Sequence, residues 1–265
     1  MICTAADFCQ VDVVKFQKRD IETSLSIPQR NAPHPEPHHA YGATYGAHRQ
    51  ALEFDLDKHR RLKDLCDAFG VVYSCTVWDV VSARGIASLC PAMIKVPSAQ
   101  NLNWNLLQVL TSEYGGEIHV SLGMTTRAEE QKLIAFLQKS GRISEVVLYA
   151  CTSAYPVEDE DIYLPEILRL RETYGSMIRS VGFSGHHLGI SPDNVAVAFG
   201  AEWIERHFTL NRAWKGTDHA ASLEPDDLRR MCCDLRKIPN MMRNKPESIV
   251  DAERPQRAKL KAFDA

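Results

Sequence analysis

Two short apolar segments near the C-terminal end of the chain, Ser180–Ser184 and Trp203–Thr209, enclose a segment with clear helix signals. That segment begins with Ser-Pro-Asp at 191–193 and stops at Gly200, so proline lies in the first helical turn and glycine near the C-terminal cap. Strand, helix and strand in this order predict a parallel βαβ unit. Because parallel strands of one barrel end at the same face, the residues that follow both strands are expected to meet there.

The same alternation of apolar strands and amphipathic helices continues through most of the chain, at the spacing typical of parallel βα repeats. The strands are nearly continuous in apolar residues, which is typical of a parallel sheet covered on both faces. The additional predicted strands are Val11–Gln17, Val71–Val77, Met93–Pro97, Ile118–Leu122 and Val146–Cys151, and the additional helices are Asp55–Phe69, Asp79–Cys90, Leu102–Tyr114, Arg127–Lys139, Pro165–Tyr174 and Pro225–Ile238.

Seven predicted βα units are one fewer than a closed barrel needs, so we predict an α/β fold of the (β/α)8 TIM type with its first strand missing. Residues Thr4–Cys9 are then the end of a helix from that first unit. Residues 1–239 are predicted to form the barrel, and residues 240–265 a polar C-terminal tail. The connection at 18–54 is long and polar, and its histidines, His34, His38 and His39, are interpreted as incidental rather than as metal ligands.

Composition and charge argue against several classes of function. The chain of 265 residues has a formal net charge of −3, which does not favour a nucleic acid partner. No window approaches the roughly 20 apolar residues of a membrane span, and the N-terminal residues lack the features of a signal peptide. Eight cysteines without a Cys-x-x-Cys pair are typical of reduced thiols, so a cytoplasmic location is expected.

Two histidines follow the two C-terminal strands, at the face where a parallel barrel carries its chemistry. His186 and His207 are expected to converge there, and Asp218 and His219 follow on the next loop. Two imidazoles at neighbouring strand ends suit a borderline divalent metal such as Mn, Fe, Co or Zn. The alternative is that each histidine is a packed or solvated residue, because histidine is common at intermediate burial.

Cationic and hydroxyl side chains stand at the ends of the other predicted strands. Lysine provides a compact charge for phosphate oxygens, and hydroxyls complete the shell around an anion. A ligand with both a phosphate and a carboxylate would therefore fit this face. The alternative is that a strand lysine protects a sheet edge, but the apolar residues around each lysine argue against an edge position. The residues concerned are Lys15, Gln17, Lys95, Ser98, Ser121, Ser153, Tyr155 and Ser184.

Several sequence blocks occur in a defined order along the chain. They are VKFQ, TYGAHRQALEF, IK-x-PS at Ile94–Ser98, SLGM at Ser121–Met124, CTSAYP at Cys151–Pro156, GFSGHHLG, ERHFTL and KGTDHAASLEP. In order and spacing they resemble the signature blocks of the sialic acid synthase family, and the resemblance extends over residues 1–239. An ordered series of blocks is far more specific than any single motif.

The resemblance implies a reaction in which phosphoenolpyruvate condenses with an N-acyl hexosamine, or its 6-phosphate, to a nine-carbon 2-keto acid with release of phosphate. It implies one divalent metal at His186 and His207, with Mn as the first choice and Mg, Co or Fe as alternatives. Asp218 or His219 is expected to assist proton transfer, and a homodimer is the expected assembly. By the family pattern, Lys15, Lys95, Ser98, Ser121 and Ser184 bind phosphoenolpyruvate, and Gln17, Tyr155 and Asp218 meet the sugar.

Three departures from the family pattern leave other interpretations open. The family begins with a strand of the type AEIGxNHxG, whose glutamate is a catalytic acid/base, and no such segment occurs here. Gln100 stands where the family usually has an acidic residue, and an amide both donates and accepts hydrogen bonds, so its sugar contact is expected to differ. Most members also carry a C-terminal antifreeze-like domain, for which this chain has only a polar segment. The alternatives are a non-catalytic or truncated homologue, or another metal-dependent aldolase on the same barrel.

Overall fold

The sheet of the protein consists of seven parallel strands that follow one another in sequence order. The structure, a computed structural model, describes residues 1–261. The predicted α/β fold of consecutive βα units is confirmed, and each predicted strand is present with ends shifted by at most three residues. The strands are β1 (Val13–Lys18), β2 (Val72–Val77), β3 (Met93–Val96), β4 (Glu117–Ser121), β5 (Val146–Cys151), β6 (Ser180–Gly185) and β7 (Trp203–Arg206).

Strands β1 and β7 form the two ends of the sheet, and no ladder joins them within residues 1–261. The sheet nevertheless curls far enough to bring side chains of the two end strands together. Lys15 Nζ of β1 lies 3.6 Å from Glu205 Oε1 of β7. The fold is therefore a curled parallel sheet of the barrel type, and the idea that one further strand completes it stays a prediction.

Seven helices connect and follow the strands, and most begin at a polar capping residue. The side chains of Asp55, Asp79, Asn103 and Thr126 each accept a hydrogen bond from a backbone N–H in the first turn, which fixes four helix starts. No helix formed by residues 1–261 is both long and apolar enough to cross a membrane. The helices are α1 (Leu56–Ala68), α2 (Val80–Ala87), α3 (Trp104–Glu113), α4 (Arg127–Lys139), α5 (Pro165–Tyr174), α6 (Ser191–Ala198) and α7 (Pro225–Leu235).

Alternate side chains of the strands form two layers of different polarity. The outer layer is apolar and packs under the helices, as Ile94, Leu148 and Phe183 do in the main hydrophobic core. The inner layer contains lysines, hydroxyls and aromatic residues instead of the branched apolar side chains common inside such barrels. Lys95 Nζ, for example, lies 3.8 Å from the centre of the Tyr149 ring. The interior of the sheet is thus a polar site rather than an apolar core.

The long connection between β1 and α1 and the C-terminal segment contain short helices that the sequence analysis treated as irregular. The helix at Tyr45–Leu52 is capped by Thr44, and the connection is tied to the opposite loop, because Tyr41 Oη donates to Lys215 O at 2.5 Å. Helices this short carry too few residues for apolar periodicity to reveal them. The other short helices of these two segments are Ile21–Ser24, Ile27–Asn31, Pro37–His39, Ile238–Met241, Asp251–Glu253 and Arg254–Leu260. The helical residues predicted at Thr4–Cys9 form a helix at Thr4–Phe8.

Two buried histidines make the stability of this fold depend on pH. His59 Nδ1 and His119 Nδ1 each lie 2.8 Å from a tyrosine hydroxyl, that of Tyr73 and that of Tyr149. Burial lowers the pKa of His59 to about 4 and that of His119 to about 3. Both rings therefore stay neutral in the folded protein, whereas the unfolded chain takes up protons below a pH of about 6.5. We expect the free energy of unfolding to fall as the pH decreases from about 6.5 towards 4.

Urea unfolding between pH 7 and pH 4.5 would measure this dependence. His59→Asn should make it shallower by up to about 1.4 kcal/mol per pH unit, because one proton fewer binds on unfolding. His38→Asn, in an exposed part of the connection, is the matched control and should leave the pH dependence unchanged. The same pH dependence in His59→Asn and wild type would contradict the assignment.

Candidate active site

Lys15 and Lys95 share one carboxylate inside the curled sheet. Lys95 Nζ lies 2.7 Å from Glu205 Oε2, and Lys15 Nζ lies 3.6 Å from Glu205 Oε1. Lys15 also donates to Thr76 Oγ1 at 2.7 Å, and Ser184 Oγ donates to Glu205 Oε1 at 3.2 Å. Two lysines and one glutamate leave one net positive charge among hydroxyl groups. Such a cluster favours an anionic ligand.

The three charged groups of this cluster affect one another's ionisation. Burial lowers the pKa of Lys95, and the charge of Glu205 works against that effect. Burial alone would raise the pKa of Glu205, but the charges of Lys15 and Lys95 hold it well below its usual range. Glu205 therefore remains a carboxylate, and the buried Lys95 depends on it as a counter-ion.

Glu205 was missed in the sequence analysis, although the sequence contains a signal for it. It is a charged residue in the short strand β7, two positions before His207. Residues two apart on a strand face the same side. Because Glu205 is two positions from His207, its side chain could have been expected on the same, inner face of the sheet.

The hydroxyls of Ser98 and Ser153 converge above Gly123. A Cβ placed on Gly123 would lie 2.3 Å from Ser153 Oγ and 2.7 Å from Ser98 Oγ, so only glycine leaves room for both. The thiol of Cys151 lies beside them, 3.7 Å from Ser98 Oγ. Ser121 is buried at the end of β4, where its carbonyl accepts a hydrogen bond from Asn101 at 2.9 Å. The predicted serines thus lie at the ends of neighbouring strands. The hydroxyl groups of Ser98 and Ser153 lie on the same side of Gly123.

His186 and His207 come together as the sequence predicted, with ring centres 5.5 Å apart. His186 Nδ1 lies 3.0 Å from the carbonyl oxygen of Thr152, which can only accept, so Nδ1 donates and Nε2 is the nitrogen of this ring that could bind a metal. Burial lowers the pKa of His207 and keeps that ring neutral. Tyr155 packs against both rings, at 4.2 Å and 5.9 Å between centres. Two neighbouring imidazoles, one with its Nδ1 oriented by a backbone carbonyl, fit a divalent metal.

Asp218 and His219 occupy different positions relative to this histidine pair. Asp218 Oδ2 lies 3.9 Å from His207 Nδ1, so its carboxylate is at the site. His219 Nδ1 instead lies 2.8 Å from Thr209 Oγ1, and its ring packs against Trp214 with 6.0 Å between centres. The structure thus shows Asp218 close to His207, whereas His219 contacts Thr209 and Trp214.

Gln17 and Gln100 each accept hydrogen bonds from neighbouring side chains. Gln17 Oε1 accepts hydrogen bonds from Trp78 Nε1 at 3.1 Å and from Arg19 Nη2 at 3.2 Å. Gln100 Oε1 accepts one from Asn103 at 2.8 Å and lines a cleft of about 220 Å³. The other residues that line the cleft are Thr23, Ser24, Trp78, Asp79, Val80, Asn103 and Asn105.

A second group of potential metal ligands occurs in the connection between β1 and α1. Ligand atoms of Glu36, His38 and His39 lie within 4.8 Å of one another. His39 Nδ1, however, accepts a hydrogen bond from the backbone N–H of Gly216 at 3.1 Å, so in the neutral ring Nε2 carries the proton. It is this Nε2 that faces Glu36, at 3.8 Å. The contact with Gly216 therefore leaves His39 without a lone pair on the side of the group.

Comparison with known proteins agrees with the resemblance seen in the sequence. The chain is 30% identical over 260 residues to the N-acetylneuraminate-9-phosphate synthase of Mus musculus, an alignment that covers 98% of this chain and 70% of the relative. It is also 30% identical over 232 residues to the N,N'-diacetyllegionaminic acid synthase of Campylobacter jejuni, covering 87% of this chain and 68% of the relative.

Solved structures share the fold, and a family profile matches nearly the whole chain. The N-acetylneuraminic acid synthetase of Leptospira borgpetersenii superposes with a TM-score of 0.80 at 24% identity, covering 99% of this chain and 86% of that protein. The spore coat polysaccharide biosynthesis protein spsE of Bacillus subtilis superposes with a TM-score of 0.72, covering 97% and 71%. The profile of the NeuB family matches residues 1–247. The chain therefore belongs to the NeuB family.

Proposed function

We propose that the protein condenses phosphoenolpyruvate with an N-acyl hexosamine, or its 6-phosphate, to a nine-carbon 2-keto acid and releases phosphate. The observation that carries this proposal is the position of the lysine–glutamate cluster beside the pair His186 and His207 at one face of the sheet. Joining these two substrates requires an anion site for phosphoenolpyruvate next to a site that polarises the carbonyl group of the sugar. The names of the relatives, synthases of sugar acids of this type, support the same reaction class.

Lys15, Lys95 and the nearby hydroxyls take the anionic substrate in this proposal. The two ammonium groups hold its phosphate and carboxylate and offset the charge that develops when C3 attacks the sugar aldehyde. Water then adds at C2, and the phosphate leaves from the resulting tetrahedral species. Because Glu205 already occupies the space between the lysines, it must yield part of its contact when the substrate binds.

His186 and His207 hold one divalent ion in this proposal, with Mn as the first choice. When bound, the ion supplies a Lewis acid for the open-chain aldehyde of the sugar. Tyr155 packs on both imidazoles and closes one side of the site. Asp218 is the carboxylate nearest to His207 for proton transfer, and the amide and hydroxyl groups around Gln100 suit the hydroxyls of a sugar.

Release of inorganic phosphate tests the proposed reaction directly. We expect release only when phosphoenolpyruvate, a divalent metal and an N-acyl hexosamine or its 6-phosphate are all present. Mass spectrometry should detect a product equal in mass to both substrates plus water minus phosphate. Phosphate release without an amino sugar would indicate another phosphoenolpyruvate enzyme. Binding of both substrates without any release would indicate a non-catalytic homologue.

Replacement of His207 by alanine is expected to remove the bound metal without unfolding the protein. One of the two imidazoles is lost, and a single neutral histidine holds Mn²⁺ weakly. Elemental analysis after dialysis gives the metal content, and far-ultraviolet circular dichroism shows whether the fold is kept. His38→Ala, from the second histidine group, is the matched control and should retain the metal. Equal metal content in His207→Ala and wild type would show that His207 is not a metal ligand.

A further inference from the structure

A buried polar cluster lies directly behind the strand ends that carry His186 and His207. It consists of His187, Asp193 and Arg206, which we call the rear cluster. The side chains of His187 and Asp193 are 0% exposed and that of Arg206 is 1% exposed. His187 follows one candidate metal ligand in sequence, and Arg206 precedes the other. Asp193 lies in the first turn of α6, the helix between the two strands.

The guanidinium of Arg206 holds the loop that follows β6. Its Nη2 donates to the carbonyl oxygen of His187 at 2.6 Å, and its Nη1 donates to that of Gly189 at 2.9 Å. Both carbonyls belong to the loop that begins with His186. Arg206 itself is the last residue of β7 and is bonded through the backbone to His207. One rigid planar group thus connects the backbone beside one histidine to the backbone beside the other.

Asp193 holds the guanidinium in place and neutralises its charge. Nη1 of Arg206 donates to Asp193 Oδ2, and the same oxygen lies 3.2 Å from His187 Nε2. A buried guanidinium without a carboxylate would be strongly destabilising. Within residues 1–261, His187 Nδ1, Asp193 Oδ1 and Arg206 Nε find no hydrogen-bond partner.

We propose that the rear cluster is a positioning device for the histidine pair. Arg206, held by Asp193, fixes the loop at 186–189 against the end of β7 and thereby sets the distance between His186 and His207. None of the three residues touches a substrate or the metal. The inference rests on the proposed metal site, and it assigns a role to three residues that the proposed reaction does not use.

Mn²⁺ affinity of Arg206→Lys and Asp193→Asn, measured by isothermal titration on the full chain, tests this inference. Lysine cannot reach both loop carbonyls, and asparagine removes the charge that holds the guanidinium. Loss of such supporting contacts typically weakens metal binding by about 10- to 100-fold, and we expect a change of this size in both variants. The visible spectrum of the Co²⁺-loaded variants should also change, because the geometry around the ion depends on the distance between the two rings.

Arg142→Lys is the matched control for a purely structural effect. Arg142 also donates to loop carbonyls, those of Tyr114 and Gly116, but in the loop that leads into β4, at the face of the sheet where the strands begin. This variant should lower the melting temperature while keeping the Mn²⁺ affinity of wild type. Unchanged Mn²⁺ affinity in Arg206→Lys and Asp193→Asn would overturn the positioning role alone. Failure of the wild type to bind Mn²⁺ would overturn the proposed metal pair as well.

Discussion

Replacement of Lys95 by methionine is expected to remove most phosphoenolpyruvate binding and to lower kcat/KM for phosphate release by about 10²- to 10³-fold, the usual effect of losing one preorganised charge stabiliser. Methionine keeps an unbranched stem that can still pack against Tyr149, so the change removes the charge more than the shape. Lys95 is the more deeply buried of the two lysines, with a side chain 3% exposed against 26% for Lys15. Because water hardly reaches this position, solvent cannot take over the contact of Lys95 with the anion.

Thermal shift with phosphoenolpyruvate separates this binding effect from a loss of fold. A ligand that binds only the folded state raises the melting temperature, and Lys95→Met should lose most of that rise. Lys139→Met, on the exposed last turn of α4, is the matched control and should keep it. A full thermal shift that persists in both Lys95→Met and Lys15→Met would mean that the anion binds elsewhere.

Glu205→Gln is expected to destabilise the protein and, at the same time, to tighten the binding of phosphoenolpyruvate. The change leaves Lys95 buried without its carboxylate, which should cost about 3 kcal/mol of the free energy of unfolding. A neutral amide no longer competes with the substrate for the two ammonium groups, so the dissociation constant should fall about tenfold, a modest share of the Coulomb energy between such charges. Loss of the Glu205 charge should thus lower the stability of the fold and raise the affinity for phosphoenolpyruvate.

Glu130→Gln provides the comparison for this variant. Glu130 is also a buried carboxylate, and it accepts hydrogen bonds from Arg169 at 2.7 Å and Tyr174 at 2.9 Å, but it lies on α4 outside the sheet. Its loss should lower stability without changing the affinity for phosphoenolpyruvate. Weaker phosphoenolpyruvate binding by Glu205→Gln than by wild type would show that the glutamate supports the anion site rather than competing with it.

The sequence predicted those features that depend on the local pattern of apolar residues and on the alternation of side chains along a strand. The helices Arg127–Lys139 and Pro165–Tyr174 and the strand Val146–Cys151 have the predicted limits. Thr126 caps the first helix, Pro165 marks the start of the second, and the strand coincides with an apolar segment. His186 and His207 were predicted to meet because parallel strands end at one face, and their rings do lie together.

Side-chain pairing was beyond prediction because it depends on contacts between distant parts of the chain. Lys95 and Glu205 are 110 positions apart, and nothing local indicates that one is the counter-ion of the other. His219 was expected, as the alternative to Asp218, to assist proton transfer, and nothing in the sequence indicated that its Nδ1 lies 2.8 Å from Thr209 Oγ1. Gln17 was predicted to meet the sugar, and its hydrogen bonds with Trp78 and Arg19 were likewise not indicated by the sequence.

Three consecutive residues, the last two of β7 and the one that follows it, contribute to three different clusters. Glu205 faces the lysines, Arg206 faces the rear cluster, and His207 returns to the inner side. Because the period of a strand is two, a single inserted or deleted residue would exchange the inner and outer sets at once. A guanidinium would then meet two ammonium groups, and a carboxylate would enter an apolar layer. A change in length here would therefore disturb the lysine–glutamate cluster, the rear cluster and the histidine pair together, whereas a single substitution disturbs only one of them directly.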